Sequence, residues 1–514
     1  MKDMNSQRPH IRHIWLRGVL VALIGLCGLT LVLETCSLFE VVHRERQNDS
    51  RLRRISRKVP NIDKALNTTA AWVHTQDAEV PVVDRLHLSL LHEACVTNLD
   101  AVVPWTFGSP EGNHQLANGT ADNKDMLINR NDTNLLQKLW QCPDVDIFLP
   151  TGLRGNGYCE DAAAYAKYLK SRLLPMWVLE VKMFDPEIGR DVDYYDLCPK
   201  TPMIFFNHYW DGVPNSPRWP KDKPLYLMPN IEMTELTPEH YWGVDAVLCK
   251  TQVCYDRVTR WYTENGNPRS TQVFYTKHTS SDQAEFARWR LGNDTIAAKD
   301  YSSIAFLHTA GTSVWKGTRE LVDCWVMASG LPQLTIYIDD SAYGFLFPSS
   351  YKRRLSRSRS PVHIEHGMLE PQEFSKLTAE AAFFMCPSRS EGYGHYINQA
   401  RASGGVVFTT NAHPMNELIV SNDMGVLIPA RYQHDQKMLL GGKYRGKHGL
   451  KDREGLLVKY DARGICNTVK DFVSSTSTEQ RAAIGARARH QYHKDTKNFA
   501  RSMQEVREFA RAES

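Results

Sequence analysis

The alternation of apolar and polar residues changes twice along this chain of 514 residues. Residues 18–33 form a charge-free apolar run, and residues 44–143 then mix basic clusters and turn residues with one short helical pattern. From Asp144 onward, short apolar runs rich in β-branched and aromatic side chains alternate with helical segments. About a dozen such runs predict buried parallel strands that are covered by helices on both faces.

A polar segment at residues 277–301 divides these runs into two groups of similar number. The pattern predicts an α/β fold with two doubly wound, Rossmann-like domains, residues 144–295 and 296–490, that face a cleft. Residues 491–514 are predicted to form a C-terminal helix that packs back towards the first domain. Ligands of such sheets bind beyond the carboxyl ends of the strands, so the residues that follow each run are the candidates for chemistry.

The apolar run near the amino terminus predicts one membrane helix, a signal anchor over residues 14–42 that follows a short tail of residues 1–13. Its charge-free part would be about 24 Å long as a helix, somewhat less than the roughly 30 Å hydrocarbon core. Arg17 can snorkel to the interface and so lengthen the span. A cleaved signal peptide is the alternative, because a basic leader precedes the run.

The orientation of this anchor is indicated by two opposing features. More basic residues follow the apolar run than precede it, which favours a cytosolic domain. Five Asn-x-Ser/Thr sequons favour a lumenal one, and four of them lie in the segment 43–143, which we interpret as a stem: Asn48, Asn67, Asn118, Asn131 and, beyond the stem, Asn293. We expect a single-pass type II protein of the endoplasmic reticulum or Golgi with a lumenal domain, and a cytosolic-facing domain is the alternative.

Composition and charge exclude several classes of protein. The net charge of +4 is too small for this length to indicate a nucleic-acid partner. Eleven cysteines show no zinc-binding spacing, and one or two disulfides are possible without any being required. Asp339 and Asp340 follow an apolar run, but adjacent aspartates point apart on a strand and are better suited to capping a turn. We therefore expect neither a metal nor a cofactor.

Three segments that follow apolar runs carry candidate chemistry. The first is the loop TGLRGNG, in which Gly152, Gly155 and Gly157 permit positive φ angles and let backbone N–H groups approach an anion. The second contains Lys316, which precedes a helix and can neutralise a diphosphate together with the free N–H groups there. The third contains Glu391, whose carboxylate is suited to accepting hydrogen bonds from sugar hydroxyls rather than to binding phosphate.

Residues 387–419 combine SRSEGYG, the helix INQARASGG, the strand VVFTT and the turn HPMNEL. This combination resembles the donor-binding region of retaining GT-B glycosyltransferases of the large family 4, or group 1, type, which includes sucrose and glycogen synthases and many mannosyltransferases. VWKGT resembles the segment with that family's lysine, and TGLRGNG resembles its glycine-bearing loop. The resemblance is clear over residues 300–430, fainter over 144–276 and absent from the stem.

The resemblance implies a GT-B fold and a set of site residues. Glu391 and Lys316 would act in catalysis with His208, which follows the run MIFF. The residues that it implies for binding of the nucleotide sugar are Gly155, Gly157, Lys316, Arg319, Glu391, Gly392, Tyr393, Gly394, His395, Gln399 and Glu417. Two positions depart from the family: Gln399 stands where relatives have a second glutamate, which receives the ribose hydroxyls, and Gly311 stands where they tend to have an arginine.

The expected function is transfer of a hexose, with retention of configuration, from a nucleotide sugar to a glycan, glycoprotein or glycolipid acceptor. One alternative is a cytosolic-face transferase that acts on a lipid-linked oligosaccharide, as the basic residues after the apolar run suggest. The other is a noncatalytic glycan- or nucleotide-binding protein, which Gln399 and Gly311 favour.

Overall fold

A computed structural model describes residues 79–109, 124–208, 210–233, 235–433, 439–440, 447–450 and 455–513. Residues Ala78–Ser514 form one compact unit. The predicted anchor at 14–42 and the sequons at Asn48, Asn67 and Asn118 lie outside the described residues. Within the described ranges, no helix is both long enough and apolar enough to cross a bilayer.

The first lobe is built on a sheet of seven strands. Its strands and one adjoining hairpin are β1 (Val103–Pro104), β2 (Asp146–Phe148), β3 (Arg172–Leu174), β4 (Met183–Asp185), β5 (Arg190–Val192), β6 (Met203–Phe206), β7 (Leu225–Met228), β8 (Ala246–Cys249) and β9 (Gln272–Tyr275). The sheet order is β1-β3-β2-β6-β7-β8-β9, and every pair is parallel except β1 with β3. The antiparallel hairpin β4–β5 stands apart from it.

Helices cover this sheet and connect its strands. They are α1 (Val82–Thr97), α2 (Leu135–Trp140), α3 (Asn156–Leu169), α4 (Trp177–Glu180), α5 (Tyr194–Leu197), α6 (Pro238–Trp242), α7 (Gln252–Asn265) and α8 (Gln283–Leu291). Strands β6 and β8 are buried at every position, which is why they read as continuous apolar runs in the sequence.

The second lobe repeats the arrangement with six parallel strands. Its strands and hairpin are β10 (Ala305–Gly311), β11 (Gln333–Ile338), β12 (Val362–His366), β13 (Phe383–Cys386), β14 (Val406–Thr410), β15 (Val426–Ile428), β16 (Arg431–Tyr432) and β17 (Val458–Lys459). The sheet order is β12-β11-β10-β13-β14-β15, so β10 and β13 are central neighbours. The predicted α/β fold with two parallel sheets is confirmed.

The helices of the second lobe are α9 (Thr318–Met327), α10 (Asp340–Leu346), α11 (Ser349–Leu355), α12 (Pro371–Glu380), α13 (His395–Ala402), α14 (Met415–Leu418), α15 (Ala462–Ser475) and α16 (Thr478–Glu513). The helix predicted over 491–514 is the second half of α16. It reaches the first lobe, where Phe499, Met503, Val506 and Ala510 join the core that also contains β2 and α3.

Part of the predicted stem is folded onto the first lobe, so the folded region begins well before Asp144. Helix α1 packs its buried Leu88, Leu91 and Ala94 into the same core as α3, and β1 pairs with β3. The apolar face of LHLSLLHEACV therefore belongs to a core, although only a short helical pattern is visible there in the sequence.

Four disulfides lie among the described residues, which is more than the one or two considered from the sequence. They join Cys95 to Cys159, Cys142 to Cys198, Cys249 to Cys254 and Cys324 to Cys466. The Cys95–Cys159 bond ties α1 to α3 and so fixes part of the predicted stem to the first lobe. Most partners are far apart in sequence, which is why spacing alone did not reveal them.

Candidate active site

Lys316 and Glu391 meet at the carboxyl ends of two adjacent strands. Lys316 follows β10 and precedes α9, while Glu391 lies in the turn between β13 and α13. Because β10 and β13 are neighbours, the two segments reach the same edge of the sheet. Lys316 Nζ lies 3.2 Å from Glu391 Oε1, and 17% and 15% of the two side chains remain exposed. The sequence thus correctly placed these two candidate groups together.

Two further side chains hold this ion pair, and sequence reasoning missed both. Ser388 Oγ donates a hydrogen bond to Glu391 Oε1 at 2.6 Å and lies 2.5 Å from the Tyr396 hydroxyl oxygen. The Tyr396 ring lies under the ammonium, with Lys316 Nζ 3.4 Å from the ring centroid. A cation over an aromatic face is stabilised by the ring quadrupole. Ser388 lies in the turn after β13, and Tyr396 lies in the first turn of α13. This placement beside Glu391 is the sequence signal that could have identified both residues.

The backbone beside Lys316 is tightly constrained. Gly317 has a φ angle of 68°, and a Cβ atom there would overlap the Tyr460 hydroxyl and the Pro387 carbonyl oxygen. The next residue, Thr318, shares a 2.8 Å hydrogen bond with His308 Nε2. Burial lowers the pKa of His308 to about 4, so this imidazole is neutral at physiological pH. Glycine at position 317 is therefore required for close packing as well as for its backbone angle.

The loop after Glu391 lies against the first lobe. A Cβ atom on Gly392 would come within 2.6 Å of Asn230 Oδ1 and 2.8 Å of Glu232 Oε1. Gly394 has a φ angle of 102° and caps α13, so it is this glycine that supplies the left-handed backbone. Gly392 instead allows the loop to lie close to the first lobe, because it has no Cβ atom. Tyr393, between them, is buried and donates a hydrogen bond from its hydroxyl to the His278 carbonyl oxygen.

His208 lies at the carboxyl end of β6, at the edge of the first sheet that also carries Asn230. Its Nδ1 is 3.2 Å from Asn207 Nδ2, and Asn207 Oδ1 accepts a hydrogen bond from the Asn230 backbone N–H at 3.3 Å. The ring is half-buried. His208 is thus two steps along a hydrogen-bonded chain from the residue that lies against Gly392, and its catalytic role remains a prediction.

Gln399 is bonded to a buried carboxylate of the first lobe. Its Nε2 donates to Glu160 Oε1 at 2.6 Å, and the Ser281 backbone N–H donates to Glu160 Oε2 at 2.9 Å. Burial alone would raise the pKa of Glu160, but His92, His395 and the Ser281 hydrogen bonds lower it. A glutamate at position 399 would place a second carboxylate beside the first. This contact gives a physical reason for the amide at the position where the family that the sequence resembles has an acid.

His395 also contacts helix α3, through the neighbouring Asp161. Its Nε2 lies 3.0 Å from Asp161 Oδ1 and its Nδ1 lies 2.8 Å from Ser280 Oγ. Lys250 Nζ binds both oxygens of Asp161, at 3.0 and 2.9 Å. Although burial alone would raise the pKa of Asp161, Lys250 and His395 hold it well below its usual range.

Asp161, His278 and His395 form the one group among the described residues with metal-binding geometry, since their ligand atoms lie within 4.8 Å of one another. The Lys250 ammonium already neutralises the Asp161 carboxylate at hydrogen-bonding distance. A divalent cation would have to displace that ammonium or bear its repulsion at close range. The cluster therefore fits an ion-pair network better than a metal centre, and the absence of a metal requirement stays a prediction.

Glu417 caps a helix of the opposite lobe. Its two carboxylate oxygens accept hydrogen bonds from the backbone N–H groups of Gln252 at 2.7 Å and Val253 at 2.9 Å, at the start of α7. A carboxylate at a helix amino terminus is stabilised by the free N–H groups and by the helix dipole. Glu417 thus joins the lobes in this structure, whereas the resemblance implied a place in the donor pocket.

Arg319 and the loop glycines differ from their expected geometry. Arg319 donates to the Leu346 carbonyl oxygen at 2.5 Å, and its guanidinium stacks 3.5 Å from the centroid of the Tyr351 ring. These contacts direct it towards α10 and α11 rather than towards Lys316.

Gly155 caps α3 with an extended φ of −117°, so it does not use the left-handed region that its residue type permits. A Cβ on Gly155 or Gly157 would meet nothing within 4 Å, so the loop leaves open space there.

Comparison with known proteins gives structural likeness only. No family model matches the chain. No curated protein matches it either. Similar solved structures include sucrose-phosphate synthase from Thermosynechococcus elongatus (10% identity, 72% of this chain and 99% of that one, TM-score 0.49), HepE from Anabaena in complex with UDP and glucose (13%, 72% and 99%, 0.43) and a glycosyltransferase from Rickettsia africae (13%, 71% and 98%, 0.45). Because these identities and TM-scores are low, the comparisons carry no conclusion about function, which has to be inferred from the residues of the site.

Proposed function

We propose that this protein is a glycosyltransferase that moves a hexose from a nucleotide sugar to a glycan, glycoprotein or glycolipid acceptor. One observation carries the proposal: an ammonium and a carboxylate, Lys316 and Glu391, lie 3.2 Å apart at the carboxyl ends of the central strands of the second sheet. The two charges suit the two parts of such a donor, because a diphosphate requires a cation and a sugar offers hydroxyl groups to an acceptor oxygen.

The proposed chemistry requires stabilisation of a leaving nucleoside diphosphate. Lys316 is paired with Glu391 and lies over Tyr396, and these contacts orient its ammonium. On binding, the ammonium would neutralise the diphosphate while Glu391 accepts hydrogen bonds from the transferred sugar. Fixed charges of this kind usually make the largest contribution to rate enhancement.

We further propose that the configuration at the anomeric carbon is retained, as the resemblance implies. The acceptor oxygen forms a bond to the anomeric carbon on the face from which the diphosphate departs. The bond between that carbon and the phosphate oxygen breaks, and its electron pair leaves with the phosphate. The departing phosphate oxygen takes the proton of the acceptor hydroxyl, so no separate base and no metal enters the step.

The test is a screen of UDP-, GDP- and ADP-sugars for donor hydrolysis by the full-length protein, with a chelator in excess. We expect Lys316→Ala and Glu391→Ala each to lower turnover by about 10²-fold or more, because the first removes the cation that neutralises the developing charge of the diphosphate and the second removes the acceptor that holds the transferred sugar. Lys470→Ala and Glu373→Ala, which remove exposed charges of the same lobe, are matched controls. Turnover in either site variant equal to that of its control would exclude that residue from the site.

We propose a lumenal location in the secretory pathway, with residues 14–42 as a type II membrane anchor. Two features support it. Four disulfides suit an oxidising compartment and are rare in cytosolic proteins. The sequon residues Asn131 and Asn293 are both exposed, as glycan acceptors must be. Faster gel migration after treatment with a glycosidase is expected, and unchanged migration would favour the cytosolic alternative.

A noncatalytic nucleotide- or glycan-binding protein is the second candidate. The contact of Gln399 with Glu160 favours it, because an amide bonded to a buried carboxylate has less capacity to bind ribose hydroxyls. Calorimetric titration with nucleoside diphosphates, alongside the donor screen, separates the two. Binding without turnover of any donor would support the noncatalytic candidate.

A further inference from the structure

Two side chains of the first lobe offer hydrogen-bond acceptors that the protein itself leaves unused. Asn230 Oδ1 and Glu232 Oε2 are buried and have no hydrogen-bond partner. Both residues follow β7, and both lie against Gly392, next to Glu391 of the second lobe. An unsatisfied buried acceptor is costly and uncommon in folded proteins, so a pair of them beside a candidate site indicates a ligand that supplies donors.

The orientation of the Asn230 amide follows from its neighbours. Met233 Sδ accepts from Asn207 Nδ2 at 3.2 Å and from Asn230 Nδ2 at 4.0 Å, so the amide nitrogens are directed towards the sulfur. The Asn230 backbone N–H is bonded to Asn207 Oδ1. Asn230 Oδ1 is consequently directed towards Gly392. The unused oxygen is therefore held in place by an ordered set of contacts.

Two unpaired acceptors select the chemistry of their ligand. A sugar hydroxyl donates a hydrogen bond, whereas an ionised phosphate oxygen only accepts. The diphosphate of a donor could not satisfy Asn230 Oδ1 or the ionised form of Glu232, while its sugar could. Lys316, on the other side of Glu391, is the group suited to phosphate. The geometry thus orders the donor, with its phosphates towards Lys316 and its sugar towards the first lobe.

We propose that Asn230 and Glu232 accept hydrogen bonds from hydroxyl groups of the transferred sugar and form the wall of its pocket opposite Glu391. This inference rests on the proposed function. Because Gly392 lies against both residues, the proposal requires its loop to move away from β7 when the sugar enters. The two residues then contribute to sugar affinity and to the choice of sugar, and not to diphosphate affinity.

The charges around Glu232 are consistent with this role. It faces Lys250 after β8, Glu391 across the site, Asp161 on α3 and Tyr241 on α6. Burial raises the pKa of Glu232 to about 7, with Glu391 and Asp161 acting in the same direction and Lys250 opposing them. Near neutral pH its carboxyl group can therefore either accept a hydrogen bond from a hydroxyl or donate one.

Calorimetric titration of the full-length protein tests the inference. The probes are UDP, GDP and ADP, each compared with UDP-glucose, UDP-galactose, UDP-N-acetylglucosamine, GDP-mannose, GDP-fucose and ADP-glucose. We consider the nucleotide sugar that the wild type binds most tightly, together with its matching diphosphate. We expect Asn230→Ala and Glu232→Gln each to weaken binding of that nucleotide sugar about tenfold, as loss of one hydrogen bond to a buried group implies. Binding of the matching diphosphate should change less than twofold. Glu235→Gln, an exposed change in the same loop, is the control.

The possible results separate the inference from the proposed function. If Glu232→Gln weakens the diphosphate and the nucleotide sugar equally, the residue has only a structural role and the inference is overturned. Unchanged affinity for the nucleotide sugar in both variants would overturn it as well. If the wild-type protein binds none of the diphosphates and none of the sugars, the proposed function fails, and the inference fails with it.

Discussion

Replacing Gln399 by glutamate would introduce the acidic residue of the family that the sequence resembles, yet the structure predicts a loss of stability. Gln399 Nε2 donates to Glu160 Oε1 at 2.6 Å, and both residues are buried. In Gln399→Glu, two carboxylates would share this position. At a separation of 3 Å and an effective dielectric constant of 20, their repulsion is about 5 kcal/mol.

Protonation of one carboxyl group limits this cost. With an ordinary pKa of 4.5 for a glutamate, holding one proton at pH 7 costs about 3 kcal/mol, and at pH 5 the cost falls below about 1 kcal/mol. The shared proton also replaces the amide hydrogen in the bond to Glu160. We therefore expect Gln399→Glu to lower the free energy of unfolding by about 3 kcal/mol at pH 7 and by less than about 1 kcal/mol at pH 5.

Urea unfolding of the full-length protein, followed by tryptophan fluorescence at both pH values, measures this difference. The exposed substitution Gln372→Glu is the control and should change stability by no more than about 0.5 kcal/mol. Adding Glu160→Gln exchanges donor and acceptor and should restore at least half of the lost stability at pH 7. Equal destabilisation at both pH values, or no rescue by Glu160→Gln, would refute the reasoning.

Two further predictions concern Gly317 and Glu232. Gly317→Ala should lower the free energy of unfolding by about 2–4 kcal/mol, because its φ is 68° and the new Cβ overlaps the Tyr460 hydroxyl. Denaturant titration should show that Tyr460→Phe restores part of this loss. Unchanged stability in Gly317→Ala would contradict the packing. The pKa of Glu232 rises on folding from 4.5 to about 7, so stability falls as pH rises through that window, by up to about 3 kcal/mol. Glu232→Gln should therefore gain stability relative to the wild type between pH 5 and 8, and a constant difference would exclude this titration.

The fold could largely be predicted from the sequence, because fully buried strands have an apolar side chain at nearly every position. MIFF of β6 and FFMC of β13 are buried throughout. The meeting of Lys316 and Glu391 could also be predicted, since each follows such a strand in one parallel sheet. Neither inference required knowledge of contacts between distant parts of the chain.

Other features depended on partners that the sequence does not identify. Glu160 and Gln399 are 239 residues apart in the chain, and Glu417 and Gln252 are 165 apart. Each of these residues has an ordinary local explanation, so nothing in its neighbourhood marks it as a contact between lobes. The same is true of Arg319, whose spacing from Lys316 suggested the donor site although its partners are Leu346 and Tyr351.

The sequence by itself determined the fully buried strands, such as β6 and β13, and the two charged residues that follow β10 and β13, since both follow from local patterns of burial and strand ends. It missed β1 and β3, and the apolar run at 176–181, which reads as a strand, forms helix α4 instead. Only the tertiary structure decided the strand order, the four disulfides and the folding of α1 onto the first lobe. It also decided that Asn230 and Glu232 lie against Gly392. These features arise from contacts between residues far apart in the chain, whose free energies depend on three-dimensional proximity and leave no periodic pattern in the sequence.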